Sequence, residues 1–481
     1  MKILKDIEPA KVFEFFEELC AIPHGSGNTK AISDYIVKFA KERNLKYIQD
    51  ESNNVIIFKN ASKGKENSPS VIIQGHLDMV CEKDADIEFD FEKDGLELEV
   101  NGDMISAKGT TLGGDDGIAV AFALAVLDGK DIVHPAIEAV FTVDEEIGLL
   151  GAGAIDTAPL KSKMLLNIDS EEEGTLLVGC AGGAQAQMEI PVVKAACEKL
   201  NVKITVDGLL GGHSGVEIDK KRANSNMVMG RVLNSLANVA EISVVDIKGG
   251  MKDNVIPNMT VCELAVDEKD FDALNDKITE LDKILKNEYK TSDSNISVKI
   301  EKGEIGNVEV FDSESTKTAI FLLNNVPNGI MDMSADIENL VETSLNLGIL
   351  KTEADKLVLS WGVRSSVATK KAALIERLKN MCDYVGGSFS VYGDYPAWEY
   401  KRDSKLRDIM VEVYEKQYGK KPNVEAIHAG LECGIFCGKM PELDCVSFGP
   451  DIKDIHTSKE RLSISSAKRV WEFLLNVLEN I

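Results

Sequence analysis

Four short apolar runs in this chain lead into residues that bind metals or move protons. They are Val71-Ile72-Ile73-Gln74-Gly75-His76-Leu77-Asp78, Ala139-Val140-Phe141-Thr142-Val143 before Asp144-Glu145-Glu146, Leu165-Leu166-Asn167-Ile168-Asp169, and Cys445-Val446-Ser447-Phe448, whose following loop carries His456. Runs of this length and composition read as buried strands. Strands that finish in polar residues align them along one rim of a sheet, where α/β enzymes keep their sites.

Helical spacing separates these runs. Apolar positions recur with helical period over residues 10 to 20 and 29 to 43, and Ile118 to Leu127 is apolar on nearly every face, as a helix covered on all sides must be. The pattern changes after the glycine-rich break Gly179-Cys180-Ala181-Gly182-Gly183. From 185 to 384, strand-like segments (186 to 192, 202 to 206, 241 to 247, 259 to 266, 296 to 301, 356 to 363) interleave with helices near 220 to 238, 269 to 288 and 370 to 382. The α/β style then resumes, with helices near 403 to 418 and 466 to 479. The expectation is an α/β domain over 1–184 and 385–481, interrupted by an inserted α+β domain over 185–384, a typical single-domain size.

Charge narrows the partners. With 54 basic against 80 acidic residues and a net charge of -26, the chain is not suited to nucleic acid or an anionic membrane surface. No stretch approaches the ~18 apolar residues of a membrane span, and the start, Met1-Lys2-Ile3-Leu4-Lys5-Asp6-Ile7, lacks the pattern of a secretory signal. Nine scattered cysteines read as reduced thiols, so a cytoplasmic protein is expected. Cys433, Cys437 and Cys445 would allow a zinc site, but small buried hydrophobes are the expected role.

Several candidate ligands lie on the rim. In an extended segment Asp78 falls on the same side as His76 and could orient its ring for a metal; alone, the pair is equally compatible with a solvated turn. Gly113-Gly114-Asp115-Asp116-Gly117 brings two aspartates to a helix start, Asp115 as a ligand and Asp116 as a plain cap. Asp144-Glu145-Glu146 sets three acids in a row, which repel one another unless solvated or facing a cation. Asp169 stands directly at a strand end, whereas Glu171 to Glu173 read as an exposed acidic loop. With the loop residue His456, two histidines and three carboxylates suffice for two divalent metals, Zn²⁺ best, with Mn²⁺ or Co²⁺ as substitutes. A further carboxylate beside them would act as general base.

In this order, Gly-His-Leu-Asp-Met-Val, Gly-Gly-Asp-Asp-Gly-Ile, Asp-Glu-Glu-Ile-Gly, Asn-Ile-Asp-Ser-Glu and a late Ile-His-Thr, the chain resembles the co-catalytic dizinc exopeptidases that include carboxypeptidase G and the carnosinases. The resemblance spans essentially the whole chain. It implies a zinc-exopeptidase-like catalytic domain, a mixed sheet flanked by helices, interrupted by a ferredoxin-like lid. It further implies that Asp115 bridges two zincs, His76 and Asp169 complete one site, Glu146 and His456 complete the other, Glu145 is the base and Asp78 orients His76. A cis peptide at Asp115-Asp116 is part of the family pattern. From the lid it offers His213 as an oxyanion donor and Arg364 as a clamp for a substrate carboxylate. Two structural roles stay open beside these, His213 as the cap of a glycine turn and Arg364 as an ion pair.

Asn254, His428 and Glu432 complete the candidate substrate contacts. The last two, spaced one helical turn apart, either face the substrate amino group or stabilise their own helix. His24 and His134 are expected to be structural. The implied activity is hydrolysis of dipeptides, Xaa-His among them; two arrangements stay open, a homodimer through the lid and a single chain whose lid supplies its own histidine. Three alternatives remain open: an aminopeptidase or tripeptidase with the same core, an N-acyl amino acid deacylase, and a metal-binding protein without catalysis.

Overall fold

The computed structural model describes residues 3–481; Met1 and Lys2, which begin the amino-terminal stretch read above, lie outside the described residues. The chain forms two compact units, the first from Met1–Cys180, Trp398–Ala426 and Leu431–Ile481, the second from Ala181–Ala397 and Ile427–Gly430. These limits correct the expected boundaries at 184 and 385. Strand Ser388–Tyr395 pairs antiparallel with Gly182–Pro191, which draws the segment up to Ala397 into the second unit. The glycine-rich break is therefore strand at Gly182 and Gly183. A Cβ on Gly183 would lie 2.5 Å from the Tyr395 ring, so close packing explains the glycine.

The first unit is built on a mixed eight-stranded sheet in the order Lys46–Gln49, Val55–Lys59, Ile137–Thr142, Val71–His76, Met164–Asn167, Asp444–Ser447, Thr175–Cys180, Asn423–Ile427. Its centre is parallel: Val71–His76 pairs with Ile137–Thr142 and with Met164–Asn167, which pairs with Asp444–Ser447. Parallel strands end on the same edge of a sheet. His76, the Asp144-Glu145-Glu146 turn, Asp169 and the segment after Phe448 consequently leave the sheet together.

Helix Gly114–Asp128 buries every residue from Ile118 to Leu127 between strand Val71–His76 and helix Ala10–Cys20. An amphipathic stripe would be useless there, hence the all-round apolar sequence. Gly75 is required by the same packing, because a Cβ would meet Ala119 Cβ at 2.8 Å and Asp116 Oδ2 at 2.6 Å.

A smaller sheet of Ile452–Lys453, Arg461–Ser463, Met104–Ala107 and Leu98–Asn101 closes the hairpin that carries residues 454 to 460, His456 included. Helices Lys405–Tyr418 and Ile464–Asn480 start on serine caps, Ser404 accepting from Arg407 N–H and Ser463 from Ser466 N–H.

The second unit is a nine-stranded antiparallel sheet with helices Ser225–Ala237, Phe271–Glu288, Ser313–Asn325 and Ala368–Tyr384 around its own apolar core. Helix Ser313–Asn325 and strand Val341–Thr352 go beyond the sequence expectations. A short ribbon pairs His213 with Val255, directly after Asn254. All nine cysteines are free, and Cys437 Sγ lies 3.4 Å from Cys445 Sγ. Among the described residues no helix is long and apolar enough to cross a membrane.

Candidate active site

Asp115 lies between two histidines and uses a different oxygen for each. His76 Nε2 is 3.1 Å from Asp115 Oδ1, and His456 Nε2 is 3.2 Å from Asp115 Oδ2. His76 Nε2 also lies 3.8 Å from Asp169 Oδ1, and His456 Nε2 lies 3.0 Å from Glu146 Oε1. Three sets of side chains have ligand atoms close enough to hold one ion: His76 with Asp116 and Asp169, His76 with Glu145 and Glu146, and Asp115 with Glu146 and His456. No cysteine enters such a set among the described residues. The five ligands expected from sequence thus stand in one cluster at the sheet edge.

The donor set fits metal. His76 Nδ1 lies 3.0 Å from the main-chain oxygen of Asp78, which fixes the proton there and turns the Nε2 lone pair toward two carboxylates. A lone pair facing carboxylate oxygens is repulsive unless a proton or a metal stands between them. Asp169 Oδ2 is buried without a hydrogen-bond partner, as an oxygen intended for an ion would be, and Glu146 Oε1 faces the His456 ring. The electrostatics carry the same demand for positive charge. Hydrogen bonding to Asp115 and then Glu146 raises His456 to about 10. Burial opposes a charged His76, yet Asp115 and Asp78 hold it well above its ordinary value.

Burial pushes Glu145 up to about 8; His76 opposes that rise, and Glu432, Glu146 and Asp115 reinforce it. A carboxyl so placed is suited to taking up a proton. Asp144 and His456 flank the cluster with positive φ angles of 55° and 58°, the kind of backbone strain that gathers at functional sites. The Asp115-Asp116 peptide is cis.

Two expectations need correction and one is extended. Asp116 does not cap its helix: its backbone is non-helical, and its Oδ2 accepts the His76 main-chain N–H at 3.1 Å. Asp78 does more than orient His76, since its carboxylate is 3.4 Å from Nδ1 but accepts the Glu145 N–H at 3.0 Å, the Glu146 N–H at 3.4 Å and the Ser26 hydroxyl at 2.8 Å. His428 and Glu432 do not share a helix, because helix Glu432–Lys439 begins after His428.

Glu432 is 0% exposed, and its Oε2 accepts from Gln74 Nε2 at 2.5 Å and Thr142 Oγ1 at 2.7 Å, beneath the strands that carry His76 and Glu145. Its other oxygen, Oε1, is buried with no hydrogen-bond partner. His24 and His134 are buried on main-chain oxygens, of Ile22 and Pro135 respectively.

The second unit gathers its own polar group. Arg364 Nη1 donates to the Tyr395 hydroxyl at 3.1 Å, and Ser344, in register with Arg364, meets His428 Nε2 at 2.7 Å. Burial, reinforced by the Arg364 cation, takes His428 down to about 3. His213 Nδ1 accepts the N–H groups of Gly215 and Val216, both at 3.2 Å, which leaves the neutral ring's proton on Nε2. His213 therefore caps its glycine turn and still offers a donor. Asn254 is exposed on the adjoining loop, its carbonyl accepting the Ser214 N–H. Tyr395 and Ser26 went unassigned in the sequence; Ser26 lies in the motif Ile22-Pro23-His24-Gly25-Ser26-Gly27, whereas nothing local marks Tyr395.

Residues 72–480 match the Peptidase family M20/M25/M40. The chain is 34% identical over 485 residues to the cytosol non-specific dipeptidase of Escherichia coli, covering 100% of this chain and 99% of that one. Its structure is similar to that of the aminoacylhistidine dipeptidase of Vibrio alginolyticus, with a TM-score of 0.94, 36% identity, and coverage of 99% and 98% of the two chains. A fold likeness extends to an aminopeptidase, PepT, of Bacillus cereus, with a TM-score of 0.57, 16% identity, and coverage of 98% and 99%.

Proposed function

The chain belongs to peptidase family M20/M25/M40 and is a hydrolase, and from that premise we propose a metal-dependent dipeptidase of the cytosol whose substrates include Xaa-His dipeptides. The convergence of His76, Asp115, Glu146, Asp169 and His456, with the buried Asp169 Oδ2 left unpartnered, carries the reading. The dipeptidase names of the Escherichia coli and Vibrio relatives support it.

In this reading Asp115 is shared by two ions, with His76 and Asp169 completing one site and Glu146 and His456 the other. Nitrogen and oxygen donors without sulfur favour zinc, with manganese or cobalt as substitutes. What such a pair supplies is polarisation of the scissile carbonyl and a water acidified to a pKa of about 7. Glu145 takes the proton of the attacking water and delivers it to the leaving amine. Asp78 holds the main chain of Glu145 and Glu146 in place and supports His76. The Arg364 fork receives the substrate carboxylate, which sets chain length because a longer peptide carries that charge elsewhere. His213 Nε2–H donates to the developing oxyanion, and His428 and Asn254 complete the substrate contacts.

The test is a substrate panel with the zinc-loaded protein. Ala-His and β-Ala-His should be hydrolysed in preference to tripeptides and N-acyl amino acids, and Glu145→Ala should keep its metal while kcat falls by roughly 10²- to 10⁴-fold. Preference for blocked amino acids would replace the reading with a deacylase. Full zinc occupancy with no hydrolysis of any substrate would leave a binding protein. Near wild-type turnover by Glu145→Ala would remove that residue from the chemistry.

A further inference from the structure

Glu460 is a buried carboxylate, 3% exposed, that the chemistry above does not use. Its two oxygens accept four successive main-chain N–H groups: Oε2 from Leu112 at 2.9 Å and Gly113 at 3.2 Å, Oε1 from Gly114 at 2.7 Å and Asp115 at 3.3 Å. Gly113 makes this convergence possible with a φ of 66°, in the left-handed region where successive N–H groups form an anion-binding concavity. The helix that follows has no side-chain cap of its own, so its leading N–H groups would otherwise be orphaned. A residue 345 positions away from Asp115 supplies what a local cap usually does.

The other end of Glu460 is fixed in the hairpin of His456. Its N–H donates to Thr457 O at 3.2 Å, and the next strand, Arg461–Ser463, is paired to Met104–Ala107. With both carboxylate oxygens committed to main-chain donors, Glu460 appears in none of the sets able to hold an ion. We propose that Glu460 is a positioning residue: it clasps the Leu112–Asp115 loop to the His456 hairpin and so sets how Asp115 faces His76 and His456. Its consequence for metal binding rests on the two-ion reading, whereas the clasp itself rests on the hydrogen bonds.

The test is Glu460→Gln, which keeps the shape but puts an NH₂ group against two N–H donors. In metal-free protein, amide exchange over Leu112–Asp115 should accelerate by about tenfold or more while strand Val71–His76 keeps its protection. Zinc affinity should fall by about 10- to 100-fold, and saturating zinc should restore kcat with the dipeptide KM unchanged.

If this variant fails to fold, Gly114→Ala serves, because its Cβ would sit 3.2 Å from Glu460 Oε1 and make the carboxylate give by a few tenths of an ångström, which lengthens its bonds to the loop. It should show the same pattern in milder form. Unchanged exchange in the loop would overturn the proposal, and so would a fall in kcat at saturating zinc with zinc affinity intact. Wild-type protein that binds no divalent ion would overturn the two-ion reading instead, and the exchange comparison would still decide whether Glu460 holds the loop.

Discussion

The rim of the first unit's sheet and the Arg364 face of the second unit's sheet gather polar residues by different routes. In the first, parallel strands all finish at one edge, so each needs only to place a ligand just past its end. In the second, antiparallel neighbours run in opposite directions, and the group forms from mid-strand residues, Arg364 and Ser344 in register, joined by Tyr395 and His428 from other segments. The electrostatics diverge accordingly. Carboxylates lift His456 to about 10, whereas burial and the Arg364 cation lower His428 to about 3. One cluster is short of positive charge; the other carries a cation beside a neutral imidazole and suits an anion.

That contrast can be broken most severely at Asp115. Asp115→Ala should empty both ion positions and abolish hydrolysis, as metal analysis of the dialysed protein would show; retention of two ions would separate Asp115 from the shared role. Arg364→Ala should leave metal content intact and reduce kcat/KM by about 30- to 150-fold, mainly through KM, the equivalent of about 2 to 3 kcal/mol for a charge-assisted pair. Loss of metal in that variant would mean the two groups are not functionally separate.

Asp78→Asn should cost about tenfold in kcat through disorder of the Glu145-Glu146 turn, with smaller change in zinc occupancy. Equal loss of both would return Asp78 to a simple support of His76. The smallest effect is on stability. The unfolded chain protonates His428 near pH 6.5, but the folded chain keeps it neutral until about pH 3, so stability is full above 6.5 and falls as pH drops through that window. The loss is at most about 1.4 kcal/mol per pH unit, read from denaturant midpoints, and His428→Gln should flatten it.

The legibility of these groups follows their construction. His76, Glu145-Glu146 and Asp169 could be picked out because each follows its own apolar run, and the strand's direction alone decides that they converge. Asp115 carried the weaker sign of a glycine-lined helix start. Tyr395 and Ser344 have no such mark, since their partners are set by sheet register across tens of residues. The unit boundary at Ala397 was hidden for the same reason, because nothing near residues 388 to 395 announces pairing with 182 to 191. The cap role of Asp116 was misread, and the contacts of Glu432 were invisible, because their neighbours in sequence are not their partners. Glu432 meets Gln74 and Thr142 from 358 and 290 positions away.

By itself, then, the sequence determined an α/β unit with a metal-capable rim, because local hydrophobic period and strand-end chemistry are properties of adjacent residues. Only the tertiary structure decided which oxygen of Asp115 faces which histidine, which acids are supports, and that Glu460 reaches back to hold the loop of Asp115. Those are relations between distant segments, set by packing and by the need of buried N–H groups for acceptors.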